Sequence, residues 1–136
     1  MDAQALTSGE IEVLIDGLTD DVSFSWVLDH LGLRGASLER GGAPSEEEIA
    51  LVFTALERLT KWALIEVGRI DFIDGGPAGR VAPVRQVCES LEVVRGRVEE
   101  CVARGDWAEW AFAFWVVNTS AGNEIAREVL ATRDTV

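Results

Sequence analysis

The sequence predicts an α+β fold, mainly helical, with a small antiparallel sheet of two or three strands. Three observations predict it. Thr7-Ser8-Gly9-Glu10 and Ser45-Glu46-Glu47-Glu48 have capping-box spacing, and each is followed by apolar residues at helical intervals. Only the stretches around Trp62–Val67 and Trp110–Val117 carry the β-branched and aromatic density of buried strands. The chain has 136 residues, 48% of them hydrophobic and 26% charged, a size and mixture suited to one domain over residues 1–136 without a metal or disulfide staple.

Taken in order, Ile11, Leu14, Ile15 and Leu18 continue a first helix to about Leu18, and Thr19-Asp20-Asp21 breaks it. Ser23 or Ser25 caps a short second helix that points Val27, Leu28 and Leu31 inward and stops at Gly32. Residues 35–44 read as a loop. Ser45 and Glu48 then open a third helix, with three carboxylates at the positive end of its dipole and Ile49, Val52, Phe53, Leu56 and Leu59 along one face. Trp62 to Val67 ends that helix and passes into a strand, and residues 74–79 form a turn tip. Val87, Leu91, Val94, Val98 and Cys101 repeat at helical spacing and predict a fourth helix from about Val84 to Ala103, closed by Arg104-Gly105. Trp110 to Val117 reads as a strand buried on both faces. Thr119 or Ser120 caps a last helix with Ile125, Ala126, Val129 and Leu130 inward. Three helices followed by a strand that can pair with a later one outline a winged-helix-like domain, with a strand–helix–strand excursion in place of the usual wing hairpin.

Two stretches, Leu51 to Val67 (LVFTALERLTKWALIEV) and Phe114 to Arg127 (FWVVNTSAGNEIAR), make the chain resemble small actinobacterial proteins of uncharacterised function with a winged-helix-like core. The second is similar to a W-x-x-x-T-x-x-G-x-x-x-A pattern, matched here by Trp115, Thr119, Gly122 and Ala126. The resemblance covers about half the chain. It implies a fold and no chemistry, because its motif marks a strand end and a helix start.

Charge narrows the function classes. Twelve Lys+Arg against 24 Asp+Glu give a formal charge of −12. Residues 1–60 hold 12 acids and 3 bases, whereas residues 61–136 hold 12 acids and 9 bases. Neutralisation of phosphates therefore starts at a disadvantage, and the helix that would read DNA in a winged helix begins with Glu46, Glu47 and Glu48. What remains for DNA is Arg58 and Lys61 on that helix and Arg69, Arg80 and Arg85 around the Gly-rich turn. Anionic membrane surfaces are disfavoured for the same reason. Met1 to Gln4 lack the basic and apolar regions of a signal peptide, and the longest apolar run is too short to span a bilayer. Cys88 and Cys101, placed in one helix and so about 20 Å apart, cannot pair with each other. Free thiols suit a reducing compartment, and the expected location is the cytoplasm.

No catalytic constellation emerges, and no enzyme, cofactor or metal is expected. His30, the single histidine, reads as a helix-end residue favoured by the dipole. Gly75 to Arg80 lacks the Gly-Lys-Ser/Thr ending of a phosphate loop. Asp20/Asp21 and Asp71/Asp74 fall short of a calcium ligand set. The aromatic cluster Trp107, Trp110, Phe112, Phe114 and Trp115 divides into a core set (both Phe and Trp115) and two partly exposed anchors, Trp107 and Trp110, while Trp26 and Trp62 fit either role. The expected function is a protein-binding one, an immunity protein or antitoxin-type inhibitor that neutralises a basic partner such as a nuclease toxin. Acidic side chains imitate the phosphate field such a partner recognises and speed its approach. The expected surface comprises Asp20, Asp21, Asp29, Glu46, Glu47, Glu48, Glu57, Trp107 and Trp110, with Asp16 beside them. The alternatives are a winged-helix transcriptional regulator and a structural or adaptor subunit, and a homodimer is compatible with any of the three.

Overall fold

A computed structural model describes residues 3–33, 43–74, 81–105 and 107–134, with side chains at all of these except 70–74, 81–86, 107, 108 and 134. After a 3-10 turn at Ala3–Ala5 come α1 (Ser8–Asp16), β1 (Val22–Ser23), α2 (Phe24–His30), α3 (Glu46–Lys61), β2 (Ile65–Asp74), β3 (Val81–Cys88), α4 (Leu91–Arg104), α5 (Trp107–Ala111), β4 (Trp115–Asn118) and α6 (Ser120–Asp134). The class is α+β and mostly helical, as expected. The sheet has four strands rather than two or three, all antiparallel, in the order β1-β4-β2-β3.

Both predicted capping boxes form. Thr7 N donates to Glu10 Oε1 at 2.9 Å while Glu10 N donates to Thr7 Oγ1, and Ser45 and Glu48 repeat the exchange. All five predicted inward residues of α3 are buried. Val22, Val67 and Val116 align across the sheet and floor the core. On it stand Phe24, Phe53 and Phe114, with Phe114 5.1 Å from the Phe24 ring centroid and 5.9 Å from that of Phe53.

Three expectations are corrected. Residues 84–88 belong to β3, not to the fourth helix. The spacing of Val84, Val87 and Leu91 fits a helix, but Val81 to Cys88 pairs with β2 from Asp74↔Val81 to Gly68↔Cys88, and α4 starts only after Ser90, whose Oγ accepts from Val93 N. Pro83 lies on this edge strand, where a missing donor is tolerated. Secondly, Trp110–Val117 is not one strand: α5 occupies Trp107–Ala111, and only β4 is extended. The alanines at 108 and 111 favour the helix, and the helix replaces strict in-out alternation. Phe112 is therefore 44% exposed, whereas Phe114 and Trp110 are fully buried. Thirdly, the two cysteines share no helix. Cys88 ends β3 with its thiol exposed, and Cys101 is buried in α4; both are free. Burial pushes the Cys101 thiol pKa up, helped by Glu109. The loop expected over residues 35–44 and the turn over 74–79 lie largely outside the described residues.

The joint between α3, β2 and α6 accounts for the Trp115–Ala126 pattern. Ala63 adopts a left-handed conformation (φ 57°) so that the chain can leave α3 and enter β2, and Leu64 N donates back to Leu59 O at 2.9 Å. Thr119 Oγ1 then donates to Ala63 O at 2.6 Å and accepts from Gly122 N, so one hydroxyl caps α6 and fastens it to the turn. Ala63→Gly is expected to stabilise the protein by about 0.5–1 kcal/mol. The left-handed penalty it removes is about 1–2 kcal/mol, partly offset by the entropy of the unfolded glycine. Thermal unfolding of the variant checks this.

Candidate protein-binding site

Several of the predicted site residues gather between α1 and α2. Glu12, Ile15 and Asp16 lie three and four residues apart, so the α1 register carries them along one side, and Thr19 follows in the turn after the helix. Asp20 and Asp21 follow in the connecting turn, where Asp21 N donates to Asp20 Oδ1 at 2.8 Å. Trp26 and His30, four residues apart on α2, close the opposite wall. Together they line an open hollow of about 520 Å³.

α2 buries Phe24, Val27 and Leu28, and this turns Trp26 outward, leaving it 54% exposed. His30 Nε2 meets Asp16 Oδ2 at 2.8 Å, and the His30 ring lies 6.3 Å from that of Trp26. His30 thus pairs with a carboxylate of another helix, a more specific arrangement than a dipole-favoured helix end. On the far side, Arg133 of α6 donates to Glu12 Oε1 at 2.6 Å. Four carboxylates and one exposed indole therefore share a concavity. Among the described residues that line it there is no Lys or Arg.

Of the expected surface, the structure brings Asp16, Asp20 and Asp21 together here. Asp29 is half-buried on α2 and does not line the hollow. Glu46 and Glu47 are exposed on the first turn of α3, Glu48 is spent on the capping box, and Glu57 is exposed three turns further along. The acidic surface thus divides into the α1–α2 hollow and the start of α3. The partial exposure expected of Trp110 is corrected: it is fully buried, edge-on to Phe24 at 6.1 Å, because α5 tucks it inward. The Trp107 side chain lies outside the described residues. Sequence reasoning did not assign Glu12, Ile15 and Thr19 to the site. The signal was present in the 12-15-16 spacing on α1, with Thr19 in the turn that follows, and in the 26-30 spacing on α2, but it shows one stripe per helix and not that the two stripes face each other.

Two of the cations considered for DNA, Arg58 and Arg69, are engaged within the fold. Arg58 Nε donates to Glu10 Oε2 at 2.9 Å and its Nη2 to Ala5 O at 2.8 Å, which satisfies a Glu10 side chain only 2% exposed. Arg69 donates to Glu89, as does Arg97, which also reaches Ala113 O at 2.7 Å. Lys61 is exposed; Arg80 and the Arg85 side chain lie outside the described residues.

No family model, curated protein or solved structure matches this chain. No helix among the described residues is long and apolar enough to cross a membrane. What the hollow can bind therefore follows from the chemistry of its own side chains.

The Glu89 cluster gives a stability prediction. The hydrogen bond from Arg97 holds the Glu89 carboxyl below its ordinary value of 4.5 against the opposing effect of burial, with the charges of Arg97 and Arg69 adding to it. A depressed folded pKa means that this contribution is present above pH 4.5 and is lost as pH falls through the lower folded value. Glu89→Gln is expected to lose about 1–3 kcal/mol at pH 7. Urea unfolding at pH 7 and at pH 3 should show the gap between the two proteins narrowing at the lower pH.

Proposed function

We propose that this protein is a non-enzymatic, protein-binding inhibitor of the immunity-protein or antitoxin type, which neutralises a basic partner such as a nuclease toxin. One observation carries the reading: the α1–α2 hollow sets an outward-facing Trp26 among Glu12, Asp16, Asp20 and Asp21. Exposed carboxylates attract a cationic surface over several ångströms and speed encounter, and an exposed indole supplies the apolar anchor that charge alone lacks. The same acidic field repels phosphates. The expected location is the cytoplasm, where the two free thiols stay reduced.

The test is capture of partners by the tagged protein at low salt, with and without nuclease treatment, followed by kinetics on the captured protein. A stoichiometric basic protein that survives nuclease and associates more slowly as salt rises supports the reading. Capture of defined DNA with no such protein would replace it with the regulator reading. That second reading is favoured by the order α1–β1–α2–α3, followed by the β2–β3 hairpin where a wing would stand, which also supports a winged-helix-like core. Arg58 weighs against it, since releasing the guanidinium to DNA would strand the buried Glu10 carboxylate.

A further inference from the structure

We propose that the α1–α2 hollow seats a single arginine side chain of a protein partner, with its guanidinium laid on the Trp26 indole. This deepens the partner-binding reading and rests on it. Trp26 carries the argument. Its neighbours Val27 and Leu28 are buried, while the indole stands half in water on the wall of a concavity. A large aromatic surface in such a place gains when a partner group covers it.

Charge complementarity selects the occupant. Glu12, Asp16, Asp20 and Asp21 line the same hollow as the indole. An aliphatic side chain would desolvate these carboxylates with nothing in return, and an anion would be repelled. A cation gains from both the carboxylates and the ring. Among cations the guanidinium fits best, because it is planar, weakly hydrated, stacks on aromatic faces and presents a fork of donors to carboxylates.

The chain contains each half of that recognition. Arg95 Cζ lies 5.6 Å from the Phe53 ring centroid, a guanidinium over an aromatic face. Arg133 already donates to Glu12, one of the carboxylates that line the hollow. His30 shows both together, a flat N–H-bearing ring tilted 31° to Trp26 with its Nε2 on Asp16.

The experiment follows the tryptophan indole N–H signals of the full-length protein by NMR at low salt, with Trp26→Phe assigning the Trp26 signal. The probes are N-acetyl-arginine amide, N-acetyl-lysine amide and polylysine. The arginine amide is expected to shift the Trp26 signal and to bind about two- to fivefold more tightly than the lysine amide. Trp26→Ala should lose a similar factor while the protein stays folded, since the indole is half exposed and lies outside the buried core. If the two amides bind equally, or neither moves Trp26, while polylysine still binds in a salt-sensitive way, the arginine seat is overturned and the partner-binding reading stands. If polylysine also fails to bind, both fall.

Discussion

Replacing Gly122 with alanine is expected to destabilise the protein by about 3 kcal/mol, at the upper end of the usual cost of forcing extra atoms into a packed contact. In most helices the same change is mildly stabilising, because glycine is the poorer helix former. Here the new Cβ would stand 2.1 Å from Leu64 O and 3.3 Å from Leu14 Cδ2. Leu64 O cannot retreat cheaply, since it accepts from Thr119 N at 3.0 Å and follows the left-handed turn at Ala63. Relieving the clash would pull α6 away from the turn and strain the Thr119–Ala63 hydrogen bond that docks it. Gly96 supplies the control. It lies within α4, and a Cβ added there would meet nothing within 4 Å, so Gly96→Ala is expected to stabilise by about 0.5–1 kcal/mol. Urea unfolding of both variants tests the argument, and equal effects of one sign would refute it.

The contrast between these two glycines marks the limit of the sequence. Both look like helical glycines, and only tertiary approach tells them apart. Features written into adjacent residues were legible: the boxes at Thr7/Glu10 and Ser45/Glu48, the buried face of α3 and the glycine stop at Gly105, which takes a left-handed φ of 75°. Features settled by distant partners were not. β1 has two residues, too few for any alternation to register, and exists because β4 offers it an edge. The spacing of Val84, Val87 and Leu91 fits either a helix or a strand followed by a helix; pairing with β2 decides, and the Gly-rich turn before it was the cue to a hairpin. At the site, composition pointed to Asp16, Asp20 and Asp21. The division of the remaining acids from them, and the inward turn of Trp110, follow from how α2, α3 and α5 pack.

That division yields the second large effect. Asp20→Asn with Asp21→Asn is expected to slow association with a cationic protein about tenfold at low ionic strength, within the range that electrostatic steering commands. Asparagine is the substitution of choice because it keeps an oxygen at position 20 to accept from Asp21 N, so the turn persists and only charge is removed. Glu46→Gln with Glu47→Gln removes the same formal charge from exposed positions at the start of α3, outside the hollow. If the hollow is where the partner docks, the α3 pair should slow association less than the aspartate pair, and only the aspartate pair should also hasten dissociation. Raising the salt to about 1 M contracts the screening length to about 3 Å and should bring the association rates of all three proteins together, while the difference in dissociation from contacts inside the hollow persists. Stopped-flow association and dissociation at two salt concentrations read both quantities. A uniform loss for the two pairs would assign the effect to net charge and remove the hollow from the mechanism.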